Sequence, residues 1–239
     1  AGPDQTQCET TTTATLAANT PVVGTGVWTV IAGTGVVTTP TDPNSGVTGL
    51  SSGVNTFEWV ITNGTCPPST DQITITLDAA PTVSAAGPDQ SVCETPGTAT
   101  LAGNVPAVGT GVWTLTAGTG TITTPADPAS GLTALAIGAN DFTWTISNGT
   151  CPPSVDVVTI NVDENATISD AGPDQTQCET TTTATLAANT PVVGTGVWTV
   201  IAGTGVVTTP TDPNSGVTGL SSGVNTFEWV ITNGTCPPS

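Results

Sequence analysis

Apolar and polar positions alternate along this chain in short runs. In FEWVITNGT (residues 57–65), Phe57, Trp59 and Ile61 fall at every second position. The related run FTWTISNGT (142–150) keeps those three apolar, while Glu58 and Val60 give way to Thr143 and Thr145. This is the period-2 pattern of a strand with one buried and one wet face. GVWTVIAGTG (26–35) and GVWTLTAGTG (111–120) behave alike: Trp28 and Val30, matched by Trp113 and Leu115, are expected to face inward, and Thr29 and Ile31 outward. TATLA supplies Ala14 and Leu16, repeated as Ala99 and Leu101. QITITLD supplies Ile73, Ile75 and Leu77, matched by Val158, Ile160 and Val162. A short strand is expected around Val47 and Leu50, and Val83, matched by Ile168, reads as the first strand of the following unit. Between these runs lie NTPVVGTG, TPTDPNSG, LSSGVN and NGTCPP. Their Pro presets φ, their Gly tolerates positive φ, and their Asp and Asn bond to nearby backbone, so they are turns. With about seven short strands per unit and no helical periodicity, the pattern predicts an all-β chain of tandem immunoglobulin-like antiparallel β-sandwiches.

The units repeat at a fixed interval. AGPDQTQCET opens the chain and returns at residue 171, and AGPDQSVCET stands at residue 86, so the period is 85 residues. Residues 171–239 are identical to residues 1–69, and the middle unit differs at many positions. The reading is three repeats, over 1–80 (first strand truncated), 81–163 and 164–239 (last strand truncated), forming a window on a longer array. The missing last strand would leave an open sheet edge, to be filled by continuation of the array or by a strand from a neighbouring chain.

The six cysteines, Cys8, Cys66, Cys93, Cys151, Cys178 and Cys236, fall two to a unit and always 58 apart. Six cysteines allow about 15 pairings. The repeat points to Cys8–Cys66, Cys93–Cys151 and Cys178–Cys236, a scheme that treats every unit alike. A loop of that length is worth roughly 4 kcal/mol in the chain-entropy account, and such bonds imply an oxidising compartment, hence secretion or the cell surface. Metal ligation and free thiols are the alternatives; the absence of His and of C-x-x-C pairs weighs against the metal.

Charge narrows the function further. The chain has 18 acidic residues and no Lys, Arg or His. No internal salt bridge is expected, and phosphate backbones and anionic lipid heads have nothing basic to meet. No run is apolar enough to insert in a membrane. Triad hydrolysis needs a base such as His or Lys, and a P-loop needs its Lys. Asp42 and Glu58 are carboxylates of the type used on glycosides, but Glu58 becomes Thr143 in the middle unit and Asp42 lies in a turn. No enzymatic activity and no cofactor are expected. Calcium is the one ligand with a case: NVDENATISDAGPDQ gathers Asp163, Glu164, Asp170 and Asp174, where the preceding junction offers only Asp78 and Asp89. The alternative is a solvated acidic linker. Asn63, Asn148, Asn165 and Asn233 stand in N-x-T sequons, a pattern that also arises by chance in a Thr-rich chain.

The ordered run AGPDQTQC…ATLAA…GTGVWTVIAGTG…DPNSGVTGL…NTFEWVITNGTCPPS resembles the PKD-like, immunoglobulin-like repeats of giant surface proteins from bacteria with gliding-type (type IX) secretion. The resemblance spans each unit, although GVWTV stands where PKD domains carry a WDFGDG-type core. It implies a β-sandwich repeat in an extracellular adhesin stalk or fibre, whose partners are further copies of the repeat in the same or neighbouring chains. The other reading is an adhesion module whose loops hold a surface glycan or protein; against it, the loops carry few aromatics and the chain has no Tyr.

Overall fold

A computed structural model describes all 239 residues. The chain is all-β. The first repeat holds β1 (Gln5–Cys8), β2 (Ala14–Thr15), β3 (Thr25–Ala32), β4 (Val36–Val37), β5 (Gly46–Thr48), β6 (Gly53–Thr62) and β7 (Ser69–Asp78). The second repeats the series as β8 (Gln90–Cys93), β9 (Ala99–Thr100), β10 (Thr110–Ala117), β11 (Thr121–Ile122), β12 (Gly131–Thr133), β13 (Gly138–Ser147) and β14 (Ser154–Asp163). The third has β15 (Thr183–Thr185), β16 (Thr195–Ala202), β17 (Val206–Val207), β18 (Gly216–Thr218) and β19 (Thr226–Thr232).

Each of the first two repeats packs a four-stranded sheet, β1-β7-β6-β3 or β8-β14-β13-β10, against a small sheet, β2-β5-β4 or β9-β12-β11. All pairings are antiparallel except the outer one: β1 runs parallel to β7 with Cys8 opposite Asp78, and β8 runs parallel to β14 with Cys93 opposite Asp163. In the third repeat the counterpart of the four-stranded sheet is the pair β16-β19, beside the three-stranded β15-β18-β17.

The period-2 positions build the cores. Leu16, Trp28, Val47, Leu50, Phe57, Trp59, Ile73, Ile75 and Leu77 are buried in the first repeat, and Leu101, Trp113, Leu132, Phe142, Trp144, Ile146, Val158 and Ile160 in the second. Trp28 faces Trp59 across the β3–β6 pair with ring centroids 5.1 Å apart; Trp113 and Trp144 lie 4.9 Å apart, and Trp198 and Trp229 5.2 Å. Such tilted pairs add to what burial alone supplies.

Three expectations are corrected. Val30 and Leu115 are exposed: each pairs in register with a buried Phe, Phe57 or Phe142, but lies near the end of an edge strand, β3 or β10, just before a register shift. Val83 and Ile168 are exposed and in no strand. They belong to linkers tied to the next unit by the Asn104 and Asn189 side-chain amides, which donate to the Val83 and Ile168 carbonyls at 2.9 Å. An ion pair also exists: the Ala1 ammonium meets the Asp71 carboxylate. It stands where the Ala86 N–H donates to Asp156 at 2.7 Å one period later.

Candidate functional site

The chemistry of this chain concentrates where one repeat meets the next. The disulfides are Cys8–Cys151 and Cys93–Cys236, each spanning 143 residues with Cα atoms 4.6 Å apart, and Cys66 and Cys178 are free and exposed. This replaces the pairing within units. Cys8 ends β1 beside Asp78, the last residue of β7, whereas Cys66 lies in the turn before Ser69, the first. A ten-residue strand separates them, about 30 Å at roughly 3.3 Å per residue, and a disulfide needs Cα atoms within about 7 Å. The staple therefore joins the first cysteine of one unit to the second cysteine of the next. That scheme also treats every junction alike, as a translational repeat requires.

Around each disulfide the same atoms recur. The Asp78 carboxylate accepts the Thr150 N–H at 2.7 Å and its hydroxyl at 2.9 Å; Asp163 accepts the same two groups of Thr235 at the same distances. The Asn148 amide donates to the Ala79 carbonyl at 2.8 Å, and Asn233 to that of Glu164 at 2.7 Å. Gly149 and Gly234 hold φ of 50° and 51°, and a side chain on either would run into the Asp78 or Asp163 carboxylate. The Asn-Gly-Thr-Cys turn is thus a clamp on the end of the preceding unit's last strand. On the linker side, the Ala80 N–H donates to Glu9 and the Asn165 N–H to Glu94, at 2.8 and 3.1 Å.

Identical residues show what docking does. Cys66 and Asn63 of the first unit are exposed; their copies Cys236 and Asn233, docked against the second unit, are buried and half-buried. The Thr180 hydroxyl, donating to the Cys178 sulfur at 3.3 Å, together with the Thr180 and Glu179 N–H groups, holds that thiol below its ordinary range. This favours the thiolate, the reactive form.

The calcium candidates are not gathered. No group of three or more Asp, Glu, Cys or His side chains could hold a metal ion. Asp163 faces Thr235, Asp170 accepts the Gly172 N–H at 2.9 Å, and Glu164 and Asp174 are exposed. Of the sequon asparagines, Asn148 and Asn233 serve the clamp, Asn165 donates to Glu94 and Thr95, and Asn63 is exposed. Asp42 accepts the Asn44 N–H in its turn, and Glu58 accepts from Gln72. The clamp residues Asp78, Asn148, Gly149 and Thr150 form a group that the sequence does not display as one. Their signal was there: an Asp and an NGTC, each repeated at 85 residues.

The clamp should be acid-sensitive. The Thr235 N–H, then its hydroxyl, and the Asn161 amide hold the Asp163 carboxyl below the usual carboxylate range. The Ala80 N–H and Ser52 hydroxyl do the same for Glu9. A lowered folded-state value means the contribution is complete above the ordinary range, near about pH 4, and is lost as pH falls through the folded value. Amide exchange at Thr235 is therefore expected to stay slow down to about pH 4 and to lose protection below it, after correction for intrinsic exchange. Asp163→Asn should remove the pH dependence.

The chain matches no protein-family model and no curated protein. Among solved structures it is similar to a three-immunoglobulin-domain segment of titin, I67–I69 in an E-to-A variant, at 10% identity over 98% of this chain and 93% of that one, with a TM-score of 0.53. It also aligns with the PKD domain from KIAA 1837 protein (22% identity, 39% of this chain, 92% of that one, TM-score 0.31). A third match is Sidekick-1 immunoglobulin domains 1–4 (14% identity, 100% and 72%, TM-score 0.40). The titin match supports the immunoglobulin-like tandem fold.

Proposed function

We propose that this chain is a structural segment of a long extracellular fibre or adhesin stalk, where it supplies reach, stiffness and resistance to proteolysis. One observation carries the reading: both junctions are built from the same disulfide and the same Asp–Thr and Asn–carbonyl contacts, so each added unit meets its neighbour in the same way. A chain whose work is binding through loops has no need of repeated covalent staples between its units. Disulfides belong to secreted and surface proteins, and the absence of Lys and Arg leaves trypsin-like proteases no site. The resemblance to surface repeats of bacteria with type IX secretion fits this setting.

Small-angle scattering and electron microscopy of the oxidised chain test the proposal. The expected result is a straight rod of about 100 Å, three units each about one ten-residue strand long, that becomes flexible when the disulfides are reduced. A freely jointed string of beads in the oxidised state would overturn it.

A further inference from the structure

Docking demands a chemically labile pair of residues. At the first junction the turn needs glycine at 149: φ is 50°, and an added Cβ would run into the Asp78 carboxylate. It also needs a side-chain amide at 148, where Asn148 donates to the Ala79 carbonyl at 2.8 Å. The second junction asks the same of Gly234 and of Asn233, whose amide donates to the Glu164 carbonyl at 2.7 Å. Asn-Gly occurs nowhere in the chain outside this turn. It is also the dipeptide most open to deamidation. Asparagine is a thermolabile residue, and a following glycine, having no Cβ, leaves its backbone nitrogen uncovered beside the asparagine Cγ.

We propose that Asn148 and Asn233 are deamidation sites gated by the junctions: the closed clamp shields each amide, and an opened junction exposes it to a change that marks the joint permanently. The reaction is internal. The Gly149 backbone nitrogen gives its proton to solvent hydroxide and attacks the Asn148 Cγ. The new C–N bond closes a cyclic imide, the Cγ–Nδ2 bond breaks, and ammonia leaves with a proton taken from water. Water then opens the ring at either carbonyl, giving aspartate or isoaspartate, with no oxidant or reductant involved. In the closed clamp the amide that must leave is tied to Ala79. The turn around it is fixed as well: the Cys151 N–H donates to the Asn148 carbonyl at 3.1 Å, Thr150 binds Asp78 through both its donors, and the staple from Cys8 anchors the turn to the preceding unit. To cyclise, the Asn148 Cγ must swing onto the Gly149 nitrogen, which breaks the bond to Ala79. Local opening therefore comes first. The product does not fit back. A carboxylate at 148 has no N–H to offer the Ala79 carbonyl, and it adds a second negative charge to the turn that holds Asp78. The chain has no Lys, Arg or His to offset that charge. Isoaspartate also lengthens the backbone just before Cys151.

The proposal rests on the clamp between units and not on the fibre reading, which fails separately on the scattering result. The experiment holds the parent, Cys8→Ser and Asp78→Ala chains, with free thiols alkylated, in mildly alkaline buffer and follows Asn148 and Asn233 by peptide mass spectrometry. Cys8→Ser opens only the first staple; Asp78→Ala keeps both staples and removes the acceptor of Thr150. Asn148 is expected to deamidate at least about tenfold faster in Cys8→Ser, a loss of restraint worth more than a single hydrogen bond, and several-fold faster in Asp78→Ala. Asn233 should keep its parent rate in both. In the oxidised chain Asn148→Asp, which mimics the product, should lose amide protection at Thr150 and keep it at Thr235. Equal rates at Asn148 in all three chains, an equal rise at Asn233, or full Thr150 protection in Asn148→Asp would overturn it.

Discussion

Serine at Cys151 is expected to lengthen the fully stretched, oxidised chain from about 240 Å to about 330 Å, at the usual reach of roughly 3.4 Å per residue, while serine at Cys66 leaves it near 240 Å. The difference follows from the covalent path. With both staples closed, tension enters through residues 1–8, crosses to Cys151, returns along the middle unit to Cys93, and crosses to Cys236. About 70 residues lie on that path, so most of residues 9–92 and 152–235 bear no load. Opening the first staple adds the run from Cys8 to Cys93 and leaves out the stretch from Cys93 to Cys151. Full reduction should lengthen the chain to about 810 Å. Single-molecule extension with handles at the two termini measures all four lengths. An extension that grows in Cys66→Ser would mean that Cys66 is bonded.

Alanine at Trp144 should destabilise the middle unit by about 3–5 kcal/mol, a large part of the roughly 5–15 kcal/mol that holds a domain folded. Trp144 is fully buried, stacks on Trp113 at 4.9 Å, and donates its indole N–H to Asn104 at 3.2 Å. Its loss removes apolar burial and an aromatic pair together and leaves a cavity. Because each repeat has its own core cluster, amide exchange should rise across Phe142–Ile160 and stay unchanged across Phe57–Ile75. Trp144→Phe should cost less. Equal loss of protection in both units would show that the cores are not independent.

The strands were legible because burial imposes a period of two, and a repeated sequence shows which positions keep it. Phe57, Trp59, Ile73, Ile75 and Leu77 read correctly for that reason. Val30 misled because it lies near the end of the edge strand β3, opposite Phe57 yet open to solvent, and alternation in sequence carries no sign of which strand stands at an edge. Val83 misled because a β-branched residue between turn signals also suits an extended linker. The pairing of cysteines is not legible in the repeat for a geometric reason: the period is satisfied equally by closing each unit on itself and by joining neighbours, and position along the strands sets which sulfurs meet. Cys8 ends β1 and Cys66 lies in the turn before β7, so the two sit at opposite ends of the β1–β7 pair, and β1 is not among the strands expected from the sequence. The clamp formed by Asp78 and the Asn148–Cys151 turn was visible only as repeated letters. Asn-Gly-Thr reads equally as a turn and as a glycosylation sequon, and only the packed neighbour shows which atoms it serves.

Everything proposed for the junctions depends on staples that cross from unit to unit. The direct test is disulfide mapping by mass spectrometry on unreduced chain, with free thiols alkylated first and cleavage directed to acidic residues. The account expects peptides joining Cys8 to Cys151 and Cys93 to Cys236, with Cys66 and Cys178 alkylated. A peptide joining Cys8 to Cys66, or Cys93 to Cys151, would contradict it.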